Sequence, residues 1–120
     1  MKKKVLIVDD NELVREVTKE IIESKNDLQT CKATNGKEAL QLLQNNTFDL
    51  LIVDIAMDEI DEIELIDKLR SSSSSIPIIV LSGGLNHNII EYLKSKKQII
   101  FIEKPYSMET LVASVEKIIS

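Results

Sequence analysis

The sequence predicts one α/β domain: a doubly wound, five-stranded parallel sheet with helices on both faces. Three observations predict it. The chain has 120 residues, 43% of them hydrophobic, with a mean hydropathy of −0.02. That is the size of one compact domain with enough apolar material for a core, and it excludes disorder as the main state. Short, continuously apolar runs rich in β-branched residues recur along it, and their lack of alternation predicts strands buried on both faces, as in parallel sheets. Segments of helical period separate the runs, so the order is βα repeated five times, with right-handed crossovers.

The first strand is Val5-Leu6-Ile7-Val8, interrupted by Asp9 and Asp10. The one-sided stripe Leu13, Val14, Val17, Ile21 and Ile22 predicts the first helix. Residues 28–33 must supply the second strand, although Gln29, Thr30 and Lys32 dilute its apolar character. Ala39, Leu40 and Leu43 mark the second helix, and Leu50-Leu51-Ile52-Val53 the third strand. Ile63, Ile66 and Leu69 mark the third helix. Five serines follow at 71–75, a mobile loop by composition, with a regulatory phosphorylation tract as the alternative. Ile78-Ile79-Val80-Leu81 is the fourth strand, and Ile89, Ile90 and Leu93 lie on the fourth helix. Ile99-Ile100-Phe101-Ile102 is the fifth strand. Ser107 is a plausible N-cap for the last helix, whose stripe is Leu111, Val112, Val115, Ile118 and Ile119.

Charge and cysteine content exclude several functions. Fifteen basic against twenty acidic residues give a net charge of −5, which disfavours direct binding to nucleic acid or an anionic membrane. A single cysteine, Cys31, allows no intramolecular disulfide and no cysteine zinc cage, as expected in a reducing compartment. The basic start Met1-Lys2-Lys3-Lys4 precedes only four apolar residues, too few for a signal peptide, and no run approaches a membrane span. The expected location is cytoplasmic.

In a doubly wound sheet the ligand site lies at the carboxyl ends of the strands, where the winding reverses. Five-unit sheets are known in the order 2-1-3-4-5, with the reversal between strands 1 and 3; the order is borrowed from such sheets, not read from these residues. The strand ends then bring Asp9 and Asp10, Asp54, Ser82 and Lys104-Pro105 to one edge. Each alone has an ordinary explanation as a cap, a strand end or a turn. Together they place three acids, a hydroxyl and an amine in one crevice. Carboxylates near 4 Å apart repel by roughly 4 kcal/mol per pair at an effective dielectric of about 20. One lysine cannot offset that. A hard divalent cation can, and an oxygen-only ligand set points to Mg²⁺. His87, the only histidine, is expected to be structural or exposed. With the acids screened, a carboxylate here can attack a phosphoryl group, and Ser82 and Lys104 can then hold the phosphoryl oxygens. Those contacts exist only after phosphorylation, so they can drive a switch.

The motifs Leu6-Ile7-Val8-Asp9-Asp10, Leu51-Ile52-Val53-Asp54-Ile55-Ala56-Met57, Pro77-Ile78-Ile79-Val80-Leu81-Ser82-Gly83 and Phe101-Ile102-Glu103-Lys104-Pro105 resemble the receiver domain of two-component response regulators, over essentially the whole chain. The resemblance is to chemotaxis-type single-domain regulators and implies a flavodoxin-like fold, of which chemotaxis receivers are themselves an example. It implies that Asp54 accepts a phosphoryl group from a histidine kinase or phosphotransfer protein. It further implies that Asp10, Asp54 and the Ala56 carbonyl bind Mg²⁺ while Asp9 assists through water. Ser82 would be the switch hydroxyl, Lys104 the phosphate-pairing lysine and Phe101 the switch aromatic. The choice of Asp54 over Asp9 and Asp10 rests on the resemblance; spacing leaves it open. The expected chemistry is limited to the chain's own phosphorylation and dephosphorylation, so it is not an enzyme acting on a separate substrate.

Some positions depart from the family's pattern. Asp58 and Glu62 stand where Pro and Gly are common, so a different turn is expected near Glu62. Asp58, Glu59, Asp61 and Glu62 together read as a solvated acidic loop. Phe101 lacks the hydroxyl of the commoner tyrosine, and Gly83-Gly84 make the loop after Ser82 permissive. Ala56 and Gly84, two residues after the acceptor and the switch hydroxyl, cannot hold an attacking water by a side chain, so slow self-dephosphorylation is expected.

The family's output face, formed by the fourth helix, fifth strand and fifth helix, falls at about residues 86–120. A downstream protein is expected there, with Tyr92, Lys94, Lys96 and Lys97 as possible contributors, on a monomer or weak dimer. Lacking an output domain, the chain would act by changed affinity or phosphoryl relay, unless it is the receiver fragment of a longer regulator. Other readings fit less well. A phosphatase of the haloacid dehalogenase type would need an acid at Ala56. A dinucleotide module would need glycines where Asp9-Asp10-Asn11 stand. A phosphorylation-independent pseudo-receiver interaction module is the main competitor, although such modules usually lack one of the charged positions, all present here.

Overall fold

The computed structural model describes residues 3–9, 11, 16, 18–20, 22–23, 28–56, 60–72, 74–84 and 87–119, with the backbone alone at Ala56, Ile60 and Asp61. The elements are β1 (Lys3–Val8), β2 (Leu28–Ala33), α1 (Gly36–Asn45), β3 (Leu50–Ala56), α2 (Ile60–Ser71), β4 (Ile78–Gly83), α3 (His87–Lys94), β5 (Ile99–Glu103) and α4 (Met108–Ile119). All strand pairs are parallel, in the order β2-β1-β3-β4-β5. The expected doubly wound sheet is present. The sequence-predicted first helix is described only in part: Glu16, 18–20 and 22–23 are helical, and Ile22 is fully buried, while Leu13, Val14, Val17 and Ile21 lie outside the described residues.

Each apolar run contributes to two cores because successive strand side chains point to opposite faces. Leu6, Val8, Leu51, Val53, Ile55, Ile78 and Val80 join α1, α2 and α3 on one face. Val5, Ile7, Leu50, Ile52, Ile79, Leu81 and Ile102 join Ile22 and α4 on the other. Each buried Leu, Ile or Val stabilises the fold by about 1.5–3 kcal/mol relative to exposure. The dilute composition of β2 has a positional cause: it is an edge strand, exposed at Gln29 and Lys32 and half-buried at Thr30 and Cys31. Thr30 donates to Glu23 at 2.7 Å, and Lys32 pairs with Glu16.

Two caps form where polar residues precede apolar stripes. Asn35 accepts from the Glu38 amide at 2.9 Å to begin α1, and Ser107 accepts from the Thr110 amide at 3.1 Å to begin α4. Among the described residues no helix is long and apolar enough to cross a membrane. His87 opens α3 with its side chain 83% exposed, in line with a solvent-facing role.

Three local expectations need correction. Asp54 and Ser82 lie inside β3 and β4, not after them, because the ladder continues past the apolar runs to pair Ala56 with Gly83 and Ser82 with Glu103. Ser71 is the last residue of α2, so the serine loop is shorter than composition suggests. Glu62 is helical and only 3% exposed, so neither the turn expected there nor a fully solvated acidic cluster is found. Asp58 and Glu59, with the side chain of Asp61, lie outside the described residues.

Candidate functional site

The carboxyl edge of the sheet divides by strand parity. Asp9 continues the face of Val5 and Ile7, Asp54 that of Leu50 and Ile52, and Lys104 that of Ile100 and Ile102. The three charged groups therefore gather on the face covered by α4. Ser82 and Phe101 continue the opposite face, with Val80 and Ile99, toward α3. Charge chemistry and the two expected switch residues thus stand on opposite sides of the sheet edge, linked by the strands that carry them.

Asp54 is 6% exposed, and Lys104 Nζ donates to its Oδ1 at 2.6 Å. Its Oδ2 is buried with no hydrogen-bond partner among the described residues. Asp9 is equally enclosed at 5% exposure, and its Oδ1 accepts from the Asn11 amide at 2.9 Å. Burial pushes the Asp9 carboxyl up to about 7; the Asn11 bond opposes this, and the charge of Asp54 adds to it. A protonated Asp9 can donate to Asp54, whereas with both ionised nothing described satisfies Oδ2. Tyr106 is packed half-buried against the same core face. Its phenol is pushed above its ordinary value, first by burial and then by the charges of Asp54 and Asp9.

Ser82 is 3% exposed, and its carbonyl accepts from the Lys104 amide at 2.7 Å, which sets the lysine's position along the edge. The peptide from Lys104 to Pro105 is cis. Phe101 is half-buried against the α1–α3 core, with Lys94 Nζ 5.8 Å from its ring centroid. Asp10 and Met57 lie outside the described residues, and Ala56 is placed by its backbone at the end of β3.

Residue patterns alone missed the role of Gly83. A Cβ there would lie 3.2 Å from Lys104 Cδ and 3.7 Å from its Cβ, so the glycine lets the lysine stem cross the end of β4 on its way to Asp54. With both ends of that stem held, Gly83→Ala is expected to slow phosphoryl uptake a few-fold. Gly83→Val should slow it more, at a stability cost of about 1–3 kcal/mol for overpacking. Phosphorylation rates beside urea unfolding check this, and an unchanged rate in Gly83→Val would contradict it. Gly84 has a φ of 78°, which favours glycine for backbone reasons independent of water access.

The buried carboxylate pair tests the fit of a cation. An unsatisfied buried oxygen beside a second carboxylate whose proton affinity is raised is a site where a hard cation would relieve both penalties. Asp54 and Asp9 fit such an ion.

Comparison with known proteins agrees with this geometry. Residues 5–116 match the response regulator receiver domain family. The probable C4-dicarboxylate response regulator DctR of Bacillus subtilis is 29% identical over 115 residues, covering 95% of this chain and 51% of that protein. The chain spans about half the length of the curated relatives it matches. Among solved structures, the receiver domain of the Francisella response regulator 1452 is 34% identical with a TM-score of 0.81, covering 98% of this chain and 96% of that one. Chemotaxis protein CheY4 of Vibrio cholerae is 25% identical with a TM-score of 0.84, covering 99% and 100%. Receiver domains carry a phosphorylation site and interact with histidine kinases and downstream effectors. Matched over nearly its whole length, and with an acid pair and a lysine gathered at the carboxyl edge of a 2-1-3-4-5 sheet, the chain belongs to the response regulator receiver domain family.

Proposed function

We propose that Asp54 is the phosphoacceptor of this receiver, that Mg²⁺ supports the transfer, and that the modified state changes the chain's affinity for a partner protein. The observation that carries the proposal is the Asp54 carboxylate: buried, one oxygen on Lys104 and the other unsatisfied among the described residues. An Asp54 oxygen forms a bond to phosphorus as the bond from phosphorus to the donor's leaving group breaks. The product is an acyl phosphate. Lys104, already at the carboxylate, offsets charge on the phosphoryl oxygens, and Ser82 on the neighbouring strand, turning over the sheet edge from the face toward α3, donates to another, a movement that only the phosphorylated state rewards. Asp9 and Asp54, with Asp10 and the Ala56 carbonyl as the resemblance implies, would hold Mg²⁺. The ion would supply charge neutralisation at the phosphoryl oxygens. The chemistry is confined to the chain's own aspartate.

The phosphodonor in this reading is a histidine kinase or phosphotransfer protein. The downstream partner meets α3, β5 and α4, where Tyr92 and Met108 are 44% and 46% exposed. Of the lysines expected there, Lys96 is already engaged, 3.4 Å from Asp67 and over the Tyr92 ring, and Lys94 lies over Phe101. We place the chain in the cytoplasm, as a monomer or weak dimer.

The test is intact mass after incubation with Mg²⁺ and a small acyl phosphate, with an EDTA arm and a beryllium fluoride binding arm. One phosphoryl group that requires Mg²⁺ is expected. If neither adduct nor beryllium fluoride binding is seen, the phosphorylation-independent interaction module replaces this reading. Lifetime of the adduct forms a separate prediction. Ala56→Asn is expected to shorten it several-fold by giving an attacking water a hydrogen-bond partner. Gly84→Glu is the poorer probe because its backbone is left-handed there. An unchanged lifetime in Ala56→Asn would count against slow hydrolysis by this cause.

A further inference from the structure

Ser74 and Ser75 of the serine tract are unused by the phosphorylation site, and they lie at the opposite end of the sheet. Ser74 and Ser75, with Arg70, Ser95, Lys96, Lys97 and Gln98, line a cleft of about 750 Å³ between the C-terminal ends of α2 and α3 and the starts of β4 and β5. That volume is in the range of small-molecule sites. Three basic residues and no acidic one line it, in a chain whose net charge is −5.

The donors in the cleft outnumber what the protein itself uses. Arg70 is fixed by backbone carbonyls: Nε donates to Lys97 at 2.8 Å, Nη1 to Ser74 at 3.1 Å, and Nη2 to Ile76 at 2.8 Å and Gln98 at 3.3 Å. These bonds explain why the guanidinium is there, but they engage neutral acceptors and leave its charge without a carboxylate among the described residues. Burial pushes it below its ordinary value, the direction expected of a cation without a counter-ion. One Nη1 hydrogen remains. The Ser74 hydroxyl accepts weakly from the Ile76 amide at 3.5 Å, so its own proton is available, and Ser75 is exposed. Lys97 has no ion pair among the described residues, in contrast to Lys96, which faces Asp67. Helix dipoles at the ends of α2 and α3 favour cations here, which accounts for the lysines as charges. They do not account for a cleft rich in donors and lined by no acid.

We propose that this cleft binds a phosphate-bearing small molecule of nucleotide size, its oxyanion held by Lys97, the Ser74 and Ser75 hydroxyls and the remaining Arg70 N–H. A rigid, pre-positioned guanidinium loses little entropy on binding. Inorganic phosphate has the same chemistry but leaves most of the volume unfilled, so it binds more weakly.

The test is backbone amide NMR of the full chain without Mg²⁺, titrated at constant ionic strength with inorganic phosphate, AMP and ATP, and with anionic lipid vesicles in a separate arm. Saturable shifts at Arg70, Ser74, Ser75 and residues 95–98 are expected, at lower concentration for the nucleotides than for phosphate. Lys97→Glu and Ser75→Glu should each raise the midpoint about tenfold or more by charge repulsion. Both positions are exposed, so folding should persist, and a melting temperature checks it. The proposal is overturned by shifts that do not saturate, by shifts confined to Asp54, Ser82 and Lys104, by variants that bind as the wild type does, or by binding to vesicles alone.

Discussion

Asp54→Asn is expected to gain no phosphoryl group under conditions in which the wild-type chain gains one, a complete loss readable by intact mass. The structure supplies a reason beyond resemblance for choosing Asp54 over Asp9. An attacking carboxylate must be ionised. Asp9 is pushed up to about 7 and is half protonated near neutrality, whereas Asp54 Oδ1 already accepts from Lys104 Nζ at 2.6 Å, the cation that can offset charge on an incoming phosphoryl group. Asp9 also has one oxygen tied to the Asn11 amide. Lys104→Met, which keeps most of the stem against Gly83 but removes the ammonium, is expected to slow uptake by about 10- to 100-fold. This is the rate equivalent of a charge-assisted contact of about 1.5–3 kcal/mol made in the transition state. The two variants separate two roles: loss of the acceptor gives no product, and loss of the lysine gives slow product. An adduct on Asp54→Asn would place the acceptor at another acid, and peptide mapping would identify it. Full-speed uptake by Lys104→Met would mean that the ion pair does not carry over to the transition state.

Much of this site was legible because chemistry here sits at strand ends. The apolar runs located four of the five strands, with β2 left to follow by elimination, and the polar residues just beyond the runs located Asp9, Asp54, Ser82 and Lys104. The strands are buried on both faces, however, so hydrophobicity carries no parity signal. The separation of Asp9, Asp54 and Lys104 from Ser82 and Phe101 appears only with the register, in which Asp54 pairs with Leu81 and Ile55 with Ser82. The burial of Glu62 was hidden for a related reason. A glutamate among Asp58, Glu59 and Asp61 reads as solvated, and only the placement of α2 shows that its position faces inward. Gly83 was noticed as a flexible residue, while its structural demand is space for a side chain 21 positions later. Such a contact leaves no local pattern. Arg70 is similar, since its partners are backbone carbonyls, which every residue type carries.

The metal-free protein is expected to lose stability as pH rises from about 5 to 8, and Mg²⁺ is expected to stabilise it more at pH 8 than at pH 5. Asp9 has an ordinary value of 3.8 and is raised to about 7 in the folded chain, first by burial and then by Asp54. Between those values the folded state holds a proton that the unfolded state has released. The contribution is therefore fully present below about 3.8 and is lost as pH passes through about 7. At the usual value per pKa unit the whole shift amounts to up to about 4 kcal/mol, of which about 2.5 kcal/mol, or roughly 10 °C in melting temperature for a domain of this size, is lost between pH 5 and 8. Glu23 has the opposite sign. Thr30 holds it below its ordinary 4.5, so its contribution is present above that value and is lost in acid, outside this window. Above pH 7 the two carboxylates repel and Oδ2 of Asp54 has no donor among the described residues, so a cation has the most to offset there. At pH 5 a proton competes for the same oxygens. Thermal unfolding at both pH values, with Mg²⁺ or EDTA, reads both effects. Asp9→Asn should flatten the metal-free pH dependence and exceed the wild-type melting temperature at pH 8 in EDTA, because it removes the charge without removing the bulk. A metal-free protein that gains stability toward pH 8, or a Mg²⁺ effect as large at pH 5, would show that the proton and the cation do not share this carboxylate pair.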